Sequence, residues 1–453
     1  MHSSDAYTPQ AGDDRIRVEH YDLSLDYKLS TNRLKGRAVL DVIVVAETKA
    51  ISLDLVGLRA TKVRVDGAAV RFSQNDRKVK ISLDGTAEAG VRHSVEIVYA
   101  GAPKPRRTRW GSIGFEELED GALIASQPTG APTWFPCNDV PSDKATYAVR
   151  VTTDPDYVVV GAVPPERTLE RGRPTWTFRV DAPTPTYLMT LQIGRYTEEA
   201  VALGSVAGRL FYPRMLQDRV HADFADLGRM MTVFEDVFGP YPFSGYTIVV
   251  TPDELEIPLE AQAMGIFGAN HIDGSGGLER LVAHELAHQW FGNSVGLAHW
   301  SDIWLNEGFA CYAEWIWSEH SGGPSAHAKA LGHHSRLAEL PQDVVLVDPG
   351  PDTMFDDRVY KRGALTLHAL RLTAGDDAVF FGLLRAWTTR HALATAATED
   401  FISLAEAQIG RPLQEFFDAW LRTPLLPPLP DGGPDDAAAP ITGPILGLDR
   451  SRR

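Results

Sequence analysis

The sequence predicts a multidomain α and β protein, in which an N-terminal antiparallel β-saddle or β-sandwich precedes a mainly helical domain. The chain has 453 residues, which exceeds a single ordinary domain. Apolar and polar residues alternate as far as about residue 195, whereas longer helix-like segments follow Gly204. Hydrophobic residues make up 44% and charged residues 23% of the chain, which is typical of a globular protein.

The first part of the chain is predicted to form β-structure over residues 16–203, after a flexible leader over residues 1–15. Apolar residues alternate with polar ones in the first strand, at Tyr21, Leu23, Leu25, Tyr27 and Leu29. Asp66-Gly67 separates two apolar runs and indicates a hairpin, because glycine accepts positive φ. Further strands are predicted at 38–45, 51–55, 78–83, 94–99 and 148–152. Many short strands separated by turns favour a sandwich or saddle.

The second part is predicted to be mainly helical over residues 204–425, with one buried strand at 246–250. Helices are predicted at 217–238, 278–291, 304–320, 359–372, 376–392, 398–408 and 413–421. Beyond Thr423-Pro424 the composition shifts to Pro, Gly, Ala and Asp, which predicts a disordered tail over residues 426–453.

The strongest functional pattern is His284-Glu285-Leu286-Ala287-His288, on the second predicted helix. Residues four apart share a helix face, so the two imidazoles can hold one ion, and Glu285 is placed to reach a water beside it. Glu307, on the next predicted helix, is the natural third ligand. Two histidines and one carboxylate with an open fourth position form a typical catalytic zinc set. A His-Glu-x-x-His pattern by itself also occurs by chance on solvated helices. The second motif is the aromatic-rich segment around Asn306-Glu307-Gly308, which is unlike a solvated charged face. The two motifs together favour a zinc peptidase.

The two segments resemble the gluzincin aminopeptidases, the aminopeptidase N-like family, through HELAHQWFGN at 284–293 and WSDIWLNEGFACY at 300–312. Gln127 with WFPCND at 134–139 and VYKRGA at 359–364 extend the resemblance, which covers roughly residues 17–425. The resemblance implies a β-saddle followed by a thermolysin-like, mainly helical catalytic domain. Longer relatives add a C-terminal helical domain, and this chain resembles a short form that lacks it, with a more open cleft.

The resemblance also implies roles for individual residues. His284, His288 and Glu307 would bind one zinc ion per chain, although such a ligand set accepts several divalent metals. Glu285 would be the general base that activates the zinc-bound water, and Tyr360 would donate its phenolic hydrogen to the oxyanion.

An aminopeptidase also needs a group that recognises the free amine of its substrate. The family uses the Glu of a Gly-x-Met-Glu-Asn strand, and here the matching stretch is IPLEAQ at 257–262. Glu260 keeps the carboxylate and is predicted to bind the amine, with Gln127 as its polar companion. The Gly and Asn of the motif are absent, which leaves the shape of the first side-chain pocket open. Glu254 and Glu256 are competing candidates, with solvated loop acids as their simpler interpretation.

Composition limits the partners and the compartment. The net charge of −16, with no basic block, argues against nucleic acid. Two distant cysteines and the lack of an apolar leader or a membrane-length apolar run favour a cytoplasmic protein without membrane partners. Peptides with a free N-terminus are the expected substrates, and a monomer is favoured.

Two other functions remain open at this level. The altered motif around Glu260 is compatible with a zinc hydrolase of a non-peptide small molecule, such as an ester or an epoxide. A peptide-binding scaffold with a vestigial site is the other alternative. The presence of Glu285 and Tyr360 argues against the scaffold, because binding a metal requires neither.

Overall fold

The computed structural model describes residues 5–431, which form a β-rich domain followed by a mainly helical domain. The strands of the first domain are β1 (Ile16–Lys28), β2 (Arg33–Val44), β3 (Thr48–Asp54), β4 (Arg59–Val65), β5 (Ala68–Ala69), β6 (Phe72–Gln74), β7 (Lys78–Ala87), β8 (Arg92–Gly101), β9 (Arg106–Thr108), β10 (Gly111–Leu118), β11 (Gly121–Ala125), β12 (Lys144–Thr152), β13 (Val158–Val160), β14 (Glu166–Glu170), β15 (Arg173–Pro185) and β16 (Gln192–Gly194).

Three sheets build this first domain. The largest has the strand order β14-β15-β12-β1-β2-β8-β4-β5, and only its β1–β12 pair is parallel. A second sheet has the order β13-β16-β11-β10-β9, and a third has the order β3-β7-β6. The predicted alternation holds along β1, where Tyr21, Leu23 and Leu25 are buried against the core. The Asp66-Gly67 hairpin is confirmed, since both residues adopt positive φ between β4 and β5.

The second domain contains a mixed sheet beneath a set of helices. Its strands are β17 (Thr197–Leu203), β18 (Val206–Tyr212), β19 (Tyr246–Val250), β20 (Leu259–Ala261), β21 (Met264–Phe267), β22 (Gly296–Leu297) and β23 (Thr395–Ala396). Its helices are α1 (Gln217–Asp223), α2 (Leu227–Phe238), α3 (Glu279–Ala287), α4 (Trp304–His320), α5 (Ala326–Ala338), α6 (Asp357–Ala374), α7 (Asp377–Arg390), α8 (Thr398–Ile409) and α9 (Gln414–Phe417). The main sheet has the order β17-β18-β19-β21-β20, so β20 lies at its edge.

Several helix boundaries differ from the predictions. The segment 217–238 forms two helices, because the chain leaves helical geometry between Asp223 and Leu227. The helix predicted at 278–291 ends near His288, and the chain then turns at Gly292, whose φ is 113°. Helix α5 was not predicted, and the segment after α9 continues as a π-helix over Asp418–Arg422. Strand β17, expected in the first domain, instead pairs with β18 in the sheet of the second.

Residues 5–15 form an ordered N-terminal strap rather than the expected flexible leader. Asp5 accepts a hydrogen bond from the backbone amide of Trp300 at 2.8 Å, and the Tyr7 hydroxyl bonds Asp348 in the second domain. Further along the strap, the amide of Gly12 donates to Asp54 of the first domain at 2.7 Å. The strap therefore contacts both domains, which fixes it against the body of the protein.

The end of the described chain also contacts the second domain. Leu426 donates its backbone amide to Gln342 at 2.9 Å, so the tail predicted at 426–453 starts on the protein surface. Its residues 432–453 lie outside the described part of the chain. Within residues 5–431, the helices are too short or too polar to cross a bilayer.

Candidate active site

The predicted metal ligands come together where the end of α3 faces the first turn of α4. The Nε2 atoms of His284 and His288 each lie 3.5 Å from one carboxylate oxygen of Glu307. This separation is longer than an ordinary hydrogen bond. It is close to the roughly 3.3 Å expected between neighbouring donor atoms around a tetrahedral zinc ion with bonds of about 2.0–2.1 Å. All three residues are buried, and their donor atoms suit a zinc ion.

Both imidazoles are held in the orientation that points Nε2 toward the site. Nδ1 of His284 lies 2.9 Å from Oε1 of Glu314, and Nδ1 of His288 lies 3.1 Å from the carbonyl oxygen of Phe291. Each Nδ1 therefore carries the hydrogen that its acceptor needs, which leaves the Nε2 lone pair free for a metal. Such outer contacts are typical of metal-binding histidines.

The charges around the cluster call for a cation. Burial raises the pKa of Glu285 to about 8, and burial also raises the pKa of Glu260. Burial opposes protonation of His288, but the charges of Glu260 and Glu307 raise its pKa to about 10. Burial similarly works against the ionised form of Glu307, yet the two histidines lower its pKa to about 2. The carboxylates thus favour positive charge at the centre of the cluster, which either protonated imidazoles or a divalent ion held between neutral imidazoles would supply.

Glu285 occupies the position expected of a general base. It follows His284 on α3 and is 4% exposed, and its Oε2 atom has no hydrogen-bond partner within the described chain. The side chain lines the same cavity as the three ligands. A buried carboxylate oxygen without a partner is costly unless a ligand or a water completes it. Glu285 is therefore available for proton transfer inside the cavity.

Tyr360 packs its ring against the imidazole of His284. It belongs to the first turn of α6, which the side chain of Asp356 caps through the amide of Arg358 at 2.9 Å. The ring stacks on His284, with centroids 6.0 Å apart and planes 15° from parallel. Burial, followed by the charge of Glu307, raises the pKa of Tyr360 well above its usual value, so the phenol stays a hydrogen-bond donor.

A glycine contact fixes the distance between these two helices. A Cβ atom on Gly308 would lie 2.8 Å from Cα of Gly363, and one on Gly363 would lie 2.7 Å from Cα of Gly308. Gly308 follows Glu307, and Gly363 lies one turn after Tyr360. Only residues without a side chain allow this approach, which brings the phenol beside the metal ligands.

The predicted amine-binding residues meet across the domain boundary. Glu260 lies on the edge strand β20, and Gln127 follows β11 of the first domain. The amide nitrogen of Gln127 donates to Oε1 of Glu260 at 2.7 Å. A carboxylate oxygen of Glu260 also lies within 4.8 Å of donor atoms of Glu285 and His288. Both predicted residues line the same cavity as His284, His288 and Glu307.

Three residues near the site were not among the predicted site residues. Glu314 holds His284, and Lys361 supports it, because Lys361 is among the charges that keep the pKa of Glu314 well below its usual range despite burial. The signal for Glu314 was its spacing, seven residues from Glu307 and so on the same helix face. Tyr187 lines the cavity from the first domain, and its sequence context carries no comparable signal.

One cavity of about 520 Å³ connects these groups. It lies between the domains, and both the β10–β11 hairpin and the segment leading to β20 line it. The predicted ligands His284, His288 and Glu307 line it together with Glu285 and Tyr360. Volume and position are typical of a small-ligand or peptide site.

The chain is similar to known proteins over both of its domains. Residues 17–188 match the model of the peptidase M1 N-terminal domain, and residues 223–420 match that of the peptidase family M1 domain. The fold is similar to a crystal structure of an M1 zinc metallopeptidase mutant from Deinococcus radiodurans bound to a Tyr-Ser-Ala substrate. That likeness has a TM-score of 0.87 and 32% identity, and it covers 94% of this chain and 99% of the other.

Two curated relatives are less similar in sequence. The chain is 27% identical over 442 residues to the probable aminopeptidase 2 of Sulfurisphaera tokodaii, covering 90% of this chain and 53% of that protein. It is 24% identical over 459 residues to the leukotriene A-4 hydrolase of Xenopus laevis, covering 92% of this chain and 73% of that protein. This chain thus spans about half the length of the archaeal relatives.

Proposed function

The chain belongs to peptidase family M1, and from this premise we propose that it is a zinc-dependent aminopeptidase that hydrolyses the N-terminal peptide bond of peptides. The observation that carries the proposal is the position of the Glu260–Gln127 pair beside the metal ligands in one cavity. A carboxylate at this distance from the reacting centre selects substrates whose free amine is next to the bond to be cleaved.

The residues divide the reaction between them. Glu260 would bind the substrate ammonium, while Gln127 holds that carboxylate in place. Glu285 would take a proton from the attacking water and transfer it to the nitrogen of the departing peptide. Tyr360 would donate a hydrogen bond to the carbonyl oxygen as it gains negative charge. One zinc ion held by His284, His288 and Glu307 would supply a Lewis acid that polarises the carbonyl and lowers the pKa of water toward about 7.

The proposal is tested with aminoacyl fluorogenic amides, each offered with a free and with an acetylated amine. We expect turnover of the free-amine set only, because acetylation removes the charge that Glu260 recognises. Glu260→Gln keeps the size of the side chain and an oxygen for Gln127, and we expect it to lower kcat/KM for the free-amine set. Equal cleavage of both sets would contradict the aminopeptidase assignment.

The role of Glu285 is tested separately with Glu285→Gln. This amide has the same shape but cannot accept the proton, so we expect kcat to fall by about 10²–10⁴-fold. Zinc content, measured by atomic absorption, should stay at the wild-type value, because Glu285 is not among the ligands. Wild-type turnover by this variant would show that another group activates the water.

A second candidate is a zinc hydrolase of a non-peptide small molecule that uses the same site. The similarity to a leukotriene A-4 hydrolase favours it. The Glu260–Gln127 pair supports the aminopeptidase instead, because an ester or epoxide substrate without an amine gives a buried carboxylate nothing to pair with. Turnover of neutral esters together with failure on every aminoacyl amide would favour the small-molecule reaction.

We also propose that the enzyme acts as a cytoplasmic monomer. Both cysteines, Cys137 and Cys311, are buried as free thiols, which suits a reducing compartment. Light scattering coupled to gel filtration would measure the mass directly.

A further inference from the structure

The active-site cavity has an unusual concentration of negative charge on one side. We call this surface the acidic wall: Glu116 and Glu119 from the β10–β11 hairpin, with Asp253, Glu254 and Glu256 from the segment before β20. Among the described residues that line the cavity, none is a lysine or an arginine. No ion pair of the described chain includes a residue of the acidic wall.

The two segments of the acidic wall are held together at Asp253. Oδ1 of Asp253 accepts the backbone amide of Glu119 at 3.3 Å, which joins the segment to the hairpin. Its other oxygen, Oδ2, is buried and has no hydrogen-bond partner in the described chain. The charge of Asp253, after partial burial, contributes to a raised pKa of Glu116, so the two carboxyl groups lie near each other.

A buried group in the same lining also lacks a partner. Ser126 is 4% exposed, and its hydroxyl has no hydrogen-bond partner in the described chain, although the residue lines the cavity next to Gln127. Since buried polar groups are normally satisfied, this hydroxyl and Asp253 Oδ2 indicate a polar ligand in the cavity.

The acidic wall adjoins the place where the first substrate residue would sit. Its hairpin strand β11 leads through Ser126 to Gln127, and its other segment leads to Glu260. The amine and the side chain of an amino acid branch from the same carbon atom. A side chain whose amine is bound at Glu260 therefore starts between these two segments.

We propose that the acidic wall is a subsite for a cationic side chain, so that substrates with an N-terminal arginine or lysine are preferred. This inference rests on the proposed aminopeptidase function and names its substrate class. A cleft lined with one sign of charge concentrates ligands of the opposite sign, and the effect weakens as salt screens it. A long basic side chain would also supply the donors that Asp253 Oδ2 lacks.

The experiment compares arginine amide substrates with citrulline amides, which have nearly the same shape but no charge. We expect kcat/KM for arginine to exceed that for citrulline by about tenfold or more at low salt, a typical value for one partly shielded charge pair. The ratio should shrink as ionic strength rises from roughly 0.05 to 0.5 M. A second series, with alanine first and arginine or citrulline second, should show little preference.

Variants test which groups are responsible. Asp253→Asn keeps an oxygen that can accept the backbone amide of Glu119, so the segment should remain in place. Combined with Glu116→Gln, it should bring the ratio of kcat/KM for arginine to that for citrulline close to one. Glu88→Gln removes an exposed carboxylate outside the cavity and serves as the matched control, with no expected change in the ratio. A ratio near one in the wild type, or one unaffected by the double variant, would overturn the subsite. A preference found only at the second position would overturn its placement.

A binding measurement separates this inference from the proposed function. Calorimetric titration of Glu285→Gln with arginine amide and with citrulline amide needs no turnover. Tighter binding of the arginine compound, lost in Asp253→Asn, supports the subsite even if every substrate panel fails. Equal binding of both compounds, together with normal cleavage of neutral aminoacyl amides, overturns the subsite and leaves the aminopeptidase function standing.

Discussion

At the scale of single residues, the site depends on side chains that orient other side chains. Glu314 is 7% exposed and accepts from Nδ1 of His284 at 2.9 Å, and it is itself close to Arg280 at 3.5 Å. Lys361 is among the groups that hold the pKa of Glu314 far below its usual range against the effect of burial. The proposed ligand His284 therefore faces an ionised acceptor, which would raise its basicity toward a metal.

Loss of that charge should weaken metal binding. We expect Glu314→Gln to lower zinc affinity by about 10–100-fold, as is typical when a partner of a metal-binding histidine is removed. Competition with a chelator of known affinity would measure the zinc affinity of each variant. Glu339→Gln, an exposed acid on the same domain, is the control and should bind zinc like the wild type. Unchanged affinity in Glu314→Gln would mean that this carboxylate only fills space.

At the scale of elements, the crossing of α4 and α6 determines how Glu307 and Tyr360 lie relative to each other. The two helices supply Glu307 and Tyr360, and their backbones approach at Gly308 and Gly363 more closely than any side chain allows. Alanine is normally the better helix former, by roughly 1 kcal/mol. Here that gain is smaller than the cost of moving two packed backbones apart, which is typically about 1–3 kcal/mol.

We therefore expect Gly363→Ala to lower both the thermal unfolding midpoint and kcat. A displacement of about 1 Å at a catalytic group can reduce the rate by roughly 10²-fold, so the loss of activity should be the larger effect. Gly382→Ala provides the control, because Gly382 lies inside α7 with no atom within 4 Å of an added Cβ. That variant should keep its activity and unfold at the same or a higher temperature.

Local patterns predict the elements around the proposed metal site, whereas features that depend on contacts between distant residues could not be predicted. The spacing of His284, Glu285 and His288 follows from helix geometry alone, and α4 has the predicted bounds, Trp304–His320. Strand β17 alternates like the strands before it, so only its pairing with β18 shows which domain contains it. The order of the strap was not predictable from its polar composition, because its partners Trp300 and Asp348 are far away in sequence.

At the scale of the whole molecule, buried carboxylates link stability to pH. Asp139 is 3% exposed and accepts the hydroxyl of Thr186 at 2.6 Å, while its Oδ2 atom has no partner in the described chain. Burial, followed by the charge of Asp54, raises the pKa of Asp139 to about 7. Between about pH 4 and pH 7 the folded protein therefore holds a proton that the unfolded chain releases.

The sign of this linkage gives a prediction. The stabilising contribution of Asp139 is fully present below about pH 4 and is lost as pH rises through 7, because the folded state must then bury a charge. The side chain in Asp139→Asn cannot ionise. The free energy of unfolding of this variant, relative to that of the wild type, should therefore rise between pH 4 and pH 7 by on the order of 2–4 kcal/mol. Above pH 7 the difference should stay constant. Thermal unfolding at several pH values would measure this difference. The control Asp84→Asn changes an exposed acid and should show no such pH-dependent difference. A pH-independent difference for Asp139→Asn would contradict the linkage.

The strap has a consequence for how the chain is made on the ribosome. Tyr7 bonds a residue 341 positions later, so its partner is synthesised on the order of tens of seconds after it, at about 5–20 residues per second. During this interval the strap can meet its contacts in the first domain but not those in the second. Its closure across both domains is therefore a late event of biogenesis, and a nascent chain stalled before Asp348 would still expose Tyr7 to proteases.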